Sequence, residues 1–293
     1  MSVGDNFNTF CNNIAISTTD RSSISSRYKR ITKRLNIDFW DSDSDTSHSL
    51  YVGSYGRGTA INGFSDLDMI FILPFSCYEQ YNNYSGNGQS ALLQAVRNSL
   101  QKTYPTTFIG GDGQVVKIEF DDGITFEIVP AFKNNDNSYT YPDSNEGGSW
   151  KITNPQPEII AMSDMDQQCN NNLKRLCRMF RAWKNEWSVD IGGLLIDTLA
   201  YKFLKDWEYK NNSYMFYDWM SRDFFKFLSE QDTNQNKWYA IGSGQVIDRK
   251  GYFEFKAKKC YNISLEAIKD ESNGYEYSSK SKWREIYGNK FPS

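Results

Sequence analysis

The sequence predicts an α+β protein, on three observations. Short runs rich in β-branched and aromatic residues cluster early in the chain: Leu50–Val52, Met69–Leu73, Thr106–Ile109, Val115–Phe120 and Ile124–Val129. From Asp164 onward the apolar residues recur every three to four positions instead, which is the period of a helix with one buried face. Between these regions lies a polar, turn-rich stretch, 133–157, whose Pro155 and Pro157 mark the entrance to the helical part. A catalytic core of residues 1–155, including N-terminal helices, followed by a helical lobe of 156–293, is the expected division.

Taken in order, residues 5–36 read as two helical segments broken near Ser17-Thr18-Thr19-Asp20, with Thr19 or Asp20 as cap. In the second segment Ile24, Tyr28, Ile31 and Leu35 share one face, and Arg27, Lys29, Arg30, Lys33 and Arg34 occupy the other. That basic side is either a solvated face or a groove for a regulatory nucleic acid or product. Asp41-Ser42-Asp43-Ser44-Asp45 is a polar loop, and His48 beyond it reads as a solvated loop residue. Residues 76–90 look like surface loop, and 91–103 form a helix with Leu92, Leu93, Val96 and Leu100 on one stripe. Gly110–Gly113 and Asp121-Asp122-Gly123 are turns between the strands that follow. Tyr139, Tyr141, Trp150 and Ile152 are candidate pairing positions. A helix over Asp164–Trp187, another over Ile196–Trp207 and a segment Ser264–Lys269 complete the reading.

Chemistry concentrates in residues 51–74, YVGSYGRGTAINGFSDLDMIFILP. Gly53-Ser54-Tyr55-Gly56 is a small-residue turn whose backbone N–H groups and hydroxyl suit phosphate oxygens. Asp66 and Asp68 stand at the head of an apolar run. Residues two apart on a strand project to one face, so the two carboxylates repel unless a cation lies between them. Arg57 either adds a charge-assisted contact to phosphate or braces the turn. In Thr125-Phe126-Glu127-Ile128-Val129-Pro130 a carboxylate interrupts an apolar strand, an expensive placement without a cation.

A Gly-Ser turn followed by Ser-Asp-Leu-Asp on a strand resembles the nucleotidyltransferase superfamily of DNA polymerase β. The fuller string G-S-Y-G-R-G-T…S-D-L-D-M is similar to one branch, the bacterial cGAS-like enzymes (CD-NTases of SMODS type). The ending Trp283-Arg284-Glu285-Ile286-Tyr287-Gly288…Phe291-Pro292 resembles the closing W-R-x-x-[YF]-G…F-P of SMODS proteins. The resemblance implies a polymerase-β-like core with a mixed, mostly antiparallel sheet, a C-terminal helical lobe and an active site in the cleft between them. It implies that the Glu127 strand lies beside the Asp68 strand, so that Asp66, Asp68 and Glu127 hold two Mg²⁺ or Mn²⁺ ions. The family usually has Asp where this chain has Glu127. Gly53 and Ser54 would hold the β- and γ-phosphates of an NTP: ATP, with GTP or a pyrimidine NTP as alternatives. A basic residue on the 164–187 helix, Arg178 or Lys174, would reach the donor triphosphate. Relatives often carry a phosphate-touching serine near the next helix start, where this chain has Gly192-Gly193.

The implied function is synthesis of a cyclic di- or oligonucleotide messenger in anti-phage (CBASS) signalling, with an RNA or protein activator and a downstream effector. The alternatives are a linear 2′-5′ oligoadenylate synthase and an enzyme that nucleotidylates an RNA 3′ end or a protein. A net charge of −3 argues against a general nucleic-acid coat. The odd five cysteines form no CxxC pair and there is one histidine, which excludes a Cys/His zinc cluster and Ser-His or Cys-His hydrolases. No run is apolar enough for a membrane span and the N-terminus lacks signal-peptide features, so a cytoplasmic location is expected.

Overall fold

A computed structural model describes residues 2–63 and 66–293. The chain opens with α1 (Val3–Ile14) and α2 (Thr18–Trp40). The cap of α2 is Ser17, whose hydroxyl accepts from the Asp20 amide, rather than Thr19 or Asp20 itself. Two compact units follow from the contacts: Ile16–Gly56 with Gly63–Gln156, and Pro157–Ser293 with the residues up to Ala15 and a strap, Arg57–Asn62.

The first unit is a seven-stranded sheet with helices packed on one face. Its elements are β1 (Ser49–Tyr51), the single turn α3 (Gly53–Gly56), β2 (Leu67–Ile72), α4 (Phe75–Asn82), α5 (Gly88–Gln101), β3 (Phe108–Asp112), β4 (Val115–Glu119), β5 (Thr125–Lys133), β6 (Tyr139–Asp143) and β7 (Ser149–Thr153). Strand order is β1-β2-β5-β4-β3, with β6 on β5 and β7 on β6; β2 and β5 run parallel and every other pair is antiparallel. Side chains alternate across the strands. Leu67, Met69 and Phe71 of β2 and Phe126 and Ile128 of β5 face Ile24, Ile31 and Leu35 of α2 and Leu92, Val96 and Leu100 of α5. Asp68 and Glu127 lie on the opposite face.

Two segments differ from the sequence reading. Within 76–90 the chain forms α4 and the first turn of α5, capped by Asn87, because Cys77, Tyr78 and Tyr81 find apolar partners among residues distant in sequence. Gly110, Gly111 and Asp112 continue β3 rather than turn, paired to Lys117, Val116 and Val115.

The second unit comprises α6 (Gln156–Gln168), α7 (Asn172–Glu186), α8 (Gly193–Asp206), α9 (Tyr217–Ser229), the hairpin β8 (Lys237–Tyr239) and β9 (Val246–Asp248), α10 (Glu254–Ser272) and α11 (Glu276–Tyr287). The expected single helix 164–187 is broken by Asn170 and Asn171, both left-handed (φ 53° and 60°), a conformation asparagine tolerates. The sequence reading placed both N-terminal helices in the catalytic core; α1 instead packs in this helical unit. Its stripe Phe7, Phe10, Cys11 and Ile14 is buried, and the Phe7 ring meets Trp283 at 5.0 Å and Phe291 at 5.2 Å. The C-terminal W-R-E-I-Y-G…F-P string thus supplies the aromatic socket that seats α1.

Candidate active site

The acid pair is fixed by sheet register. Asp68 of β2 is the direct neighbour of Glu127 of β5, and Glu127 in turn opposes Lys117 of β4. Residues opposite one another share a face, so Asp68, Glu127 and Lys117 form a row across three strands, each about 4.8 Å from the next. Asp66 stands just ahead of β2 and is exposed. Burial raises the Glu127 carboxyl above its ordinary value, Asp66 and Asp68 raise it further, and Lys117 opposes them.

The Gly-Ser turn abuts this row. The Val52 amide donates to the Asp68 carbonyl (2.9 Å) and the Gly56 amide to the Val52 carbonyl (2.8 Å), which ties α3 to β2. Gly53 has φ +58°, and a Cβ there would sit 2.6 Å from Asp68 Cγ. Glycine is therefore required on two counts, backbone conformation and space. A ladder of tyrosines props the turn from behind. Tyr28 of α2 stacks on Tyr51 (3.9 Å between centroids) and Tyr51 contacts Tyr55 within α3 (4.7 Å).

The donor chemistry fits a hard divalent cation: oxygen ligands only, two of them in register. Among the described residues, no group of three or more His, Cys, Asp or Glu side chains stands close enough to hold a metal ion. Asp68 and Glu127 are the paired ligand candidates, with Asp66 at the exposed margin.

Arg57 pairs with two acids. It is buried, its Nε donates to Asp197 Oδ2 of α8 (2.9 Å) and its Nη1 to Glu158 Oε2 of α6 (3.2 Å). Thr59 Oγ1 donates to the same Asp197 oxygen (3.0 Å), and Arg181 Nη2 of α7 reaches Asp197 (2.7 Å) and the Gly193 carbonyl (3.1 Å). Burial alone would push the Asp197 carboxyl up, but Arg181, Arg57 and Thr59 hold it below the ordinary range. Burial raises Glu158, partly offset by Ser243 and Arg57. The loop around Ser243, uninformative as sequence, contributes that hydrogen bond to Glu158 (2.8 Å).

Arg181 also explains Gly192-Gly193. A Cβ on Gly193 would lie 3.1 Å from Arg181 Cζ and closer still to Nη1, so the guanidinium occupies the space a serine side chain would need. Of the two basic candidates on α7, Lys174 lies 3.9 Å from Asp166 and its stem runs along Gly58. Arg178 donates from Nε to the Lys174 carbonyl (3.1 Å) and has no carboxylate within 4 Å among the described residues. Its pKa is lowered first by burial, with Arg175 adding to the shift.

The basic face of α2 is not a bare cationic groove. Arg27 forms two hydrogen bonds to Asp122 (2.9 and 2.8 Å), Arg34 pairs with Asp38, Lys33 lies 3.4 Å from Asp43 and Lys29 3.9 Å from Asp45. His48, expected in solvent, stacks on Trp40 (4.0 Å between centroids). Its Nδ1 donates to Asn36 Oδ1 (2.7 Å), because Asn36 Nδ2 already donates to the Ser44 and Ser47 carbonyls.

Lys117, Asp197 and Arg181 were not singled out from sequence as site residues. Lys117 had a signal in the alternation of Val115–Glu119. Asp197 had the same signal as Glu127, a lone acid inside an apolar run, Leu194-Leu195-Ile196-Asp197-Thr198-Leu199.

Residues 1–166 match the family model described as "Second Messenger Oligonucleotide or Dinucleotide Synthetase domain". A probable cyclic nucleotide synthase of Bacillus cereus (strain VD146) is 27% identical over 178 residues, 57% of this chain; the match spans about half (52%) of that relative's length. A cyclic AMP-AMP-AMP synthase of Acinetobacter sp. is 21% identical over 266 residues, 84% of this chain and 73% of that protein. The structure of Escherichia coli MS115-1 CdnC with ATP superposes with a TM-score of 0.68 at 14% identity, covering 99% of this chain and 98% of that one. The polymerase-β-like nucleotidyltransferase fold is thereby shown.

Proposed function

Since the chain belongs to the second messenger oligonucleotide or dinucleotide synthetase family, we propose that it joins nucleoside triphosphates into a cyclic di- or oligonucleotide. The observation that carries this reading is the in-register pair Asp68–Glu127 lying against the Gly53 turn. Asp66, Asp68 and Glu127 are the residues that would hold Mg²⁺ or Mn²⁺. Such an ion, when bound, makes the attacking hydroxyl more acidic and neutralises charge developing on the transferred phosphate and leaving pyrophosphate.

The chain's own groups supply orientation. Gly53, lacking a Cβ, lets the backbone approach the donor's β- and γ-phosphates, and its N–H with the Ser54 hydroxyl would fix them for in-line attack. Arg178 is favoured over Lys174 as the cation for the triphosphate, because Lys174 leans on Asp166 while Arg178 has only a backbone partner among the described residues. Arg57 acts as a brace.

A small-molecule acceptor, a second NTP, is favoured over an RNA 3′ end. Four of the five α2 cations that could have lined an RNA groove are engaged by Asp122, Asp38, Asp43 and Asp45, and the fifth, Arg30, lies over the Tyr104 ring. A product sensed by a downstream effector in anti-phage defence, and a cytoplasmic location, belong to the same proposal. Among the described residues no helix is long and apolar enough to cross a membrane.

The test is incubation of the purified protein with each labelled NTP, singly and in pairs, with Mg²⁺ or Mn²⁺, followed by phosphatase and chromatography. A phosphatase-resistant small product is expected. A ladder of linear oligomers would replace cyclisation with the linear reading. No product from any NTP set, with or without added RNA, would overturn nucleotidyl transfer.

A further inference from the structure

The strap Arg57–Asn62 continues directly from the phosphate turn and is pinned along its length. Besides the bonds of Arg57 and Thr59, Ile61 is buried in the helical core, and the Asn62 amide donates to the Ile14 carbonyl (3.0 Å). Several of these anchors meet at one residue. Asp197, 1% exposed, accepts from Arg57, Thr59 and Arg181 together. The cluster is charge-balanced, two guanidiniums (Arg57, Arg181) against two carboxylates (Asp197, Glu158), all buried. A charge withdrawn from such a group leaves an uncompensated buried partner.

We propose that Asp197 is a positioning residue for nucleotidyl transfer. By holding Arg57 and Thr59 it fixes the strap, and through the Gly56–Arg57 peptide it fixes the pose of Gly53–Gly56, without itself touching substrate. The inference rests on the assignment of Gly53 and Ser54 to the triphosphate. A one-turn helix of four residues has little stability of its own, so the anchoring of its C-terminal neighbour adds to the bonds to β2 and the tyrosine ladder in keeping its amides aligned. Arg57→Lys could not restore the arrangement, because one ammonium cannot reproduce the divergent Nε and Nη1 bonds to two acids.

The experiment combines hydrogen exchange with kinetics on Asp197→Asn, the double variant Asp197→Asn with Arg181→Met, and Thr59→Val. In Asp197→Asn, amides of 53–57 should exchange roughly tenfold faster while β4 and α10 keep wild-type protection. At saturating NTP, kcat should fall by roughly tenfold or more with KM changed less. The double variant restores charge balance, so it should recover melting temperature but not slow exchange at the turn. Thr59→Val removes one donor without stranding a charge and should shift exchange in the same direction by a smaller factor, which keeps the test alive if Asp197→Asn does not fold. Wild-type exchange at 53–57 in both Asp197→Asn and Thr59→Val would overturn the proposal. So would recovery of kcat together with melting temperature in the double variant, which is the signature of a purely structural role. If wild-type protein turns over no NTP, nucleotidyl transfer fails, and the exchange measurement still judges the anchoring by Asp197.

Discussion

Replacing Gly53 with alanine tests the centre of the site with a single methyl group. Two effects add. At φ +58° an L-residue lies in the left-handed region, which costs about 1–2 kcal/mol. The new Cβ would also stand 2.6 Å from Asp68 Cγ and 2.9 Å from Asp68 Cβ. Carbon atoms pack at about 3.5–4.0 Å, so the Asp68 carboxylate or the turn must move by about 1 Å. Misplacement of a reacting group by that distance lowers a rate by about 10²-fold, equivalent to ~2.7 kcal/mol in the barrier. The expectation for Gly53→Ala is therefore a drop in melting temperature of roughly 2–8 °C and a loss in kcat of about two orders of magnitude. The assay is product formation at saturating NTP, with thermal melting alongside. Gly123→Ala is the control for backbone strain alone: φ is +83° and no atom lies within 4 Å of its Cβ position. That variant should lose comparable stability and keep its rate. A Gly53→Ala enzyme that folds and works within about threefold of wild type would refute the assignment of Gly53 and Asp68 to one site.

Three further outcomes follow from charge and space. Glu127→Gln should abolish turnover yet stabilise the metal-free protein above neutral pH. The folded-state pKa of Glu127 is raised, so its ionised form opposes folding at high pH and that penalty vanishes as pH falls; urea midpoints of wild type and variant should converge only below the ordinary carboxyl value of 4.5. Mg²⁺ should raise the wild-type melting temperature more than that of Glu127→Gln. Asp218 of α9, pushed up to about 6 by burial and by Glu271 despite the Trp219 amide and Arg222, gives the same sign. Asp218→Asn should be the more stable protein at pH 8, with the difference shrinking below about pH 6 and gone only below the ordinary carboxyl value of 3.8, and a denaturation series carried down to about pH 3 decides it. Gly193→Ala should destabilise by about 1–3 kcal/mol, because the Arg181 guanidinium beside it is held by Asp197 and cannot swing away freely; an unchanged urea midpoint would contradict that packing.

The chain's local rules show in its sequence because their period is local. Alternation along 66–72 put Asp68 on the face away from the helix-packed core, and an acid inside Thr125–Val129 announced a charged role for Glu127. The turn Gly53–Gly56, the amphipathic stripe of α7 and the helical character of the second half were legible for the same reason. Choice of partner was not legible, because it is made between residues far apart in the chain. For Arg57 the sequence left phosphate and a brace open, and the buried carboxylate it meets, Asp197, lies 140 residues away. The basic face of α2 acquired a different meaning once Asp122 and the 41–45 loop folded against it. Helix α1 went to the helical unit because Trp283, Tyr287 and Phe291 offered its two phenylalanines a deeper aromatic socket. By itself the sequence determined the helical and strand periods and where lone acids interrupt them; the register Asp68–Glu127–Lys117 and the pairing of the buried charges around Asp197 were decided only by tertiary packing, where a desolvated charge must find its counter-charge wherever in the chain that lies.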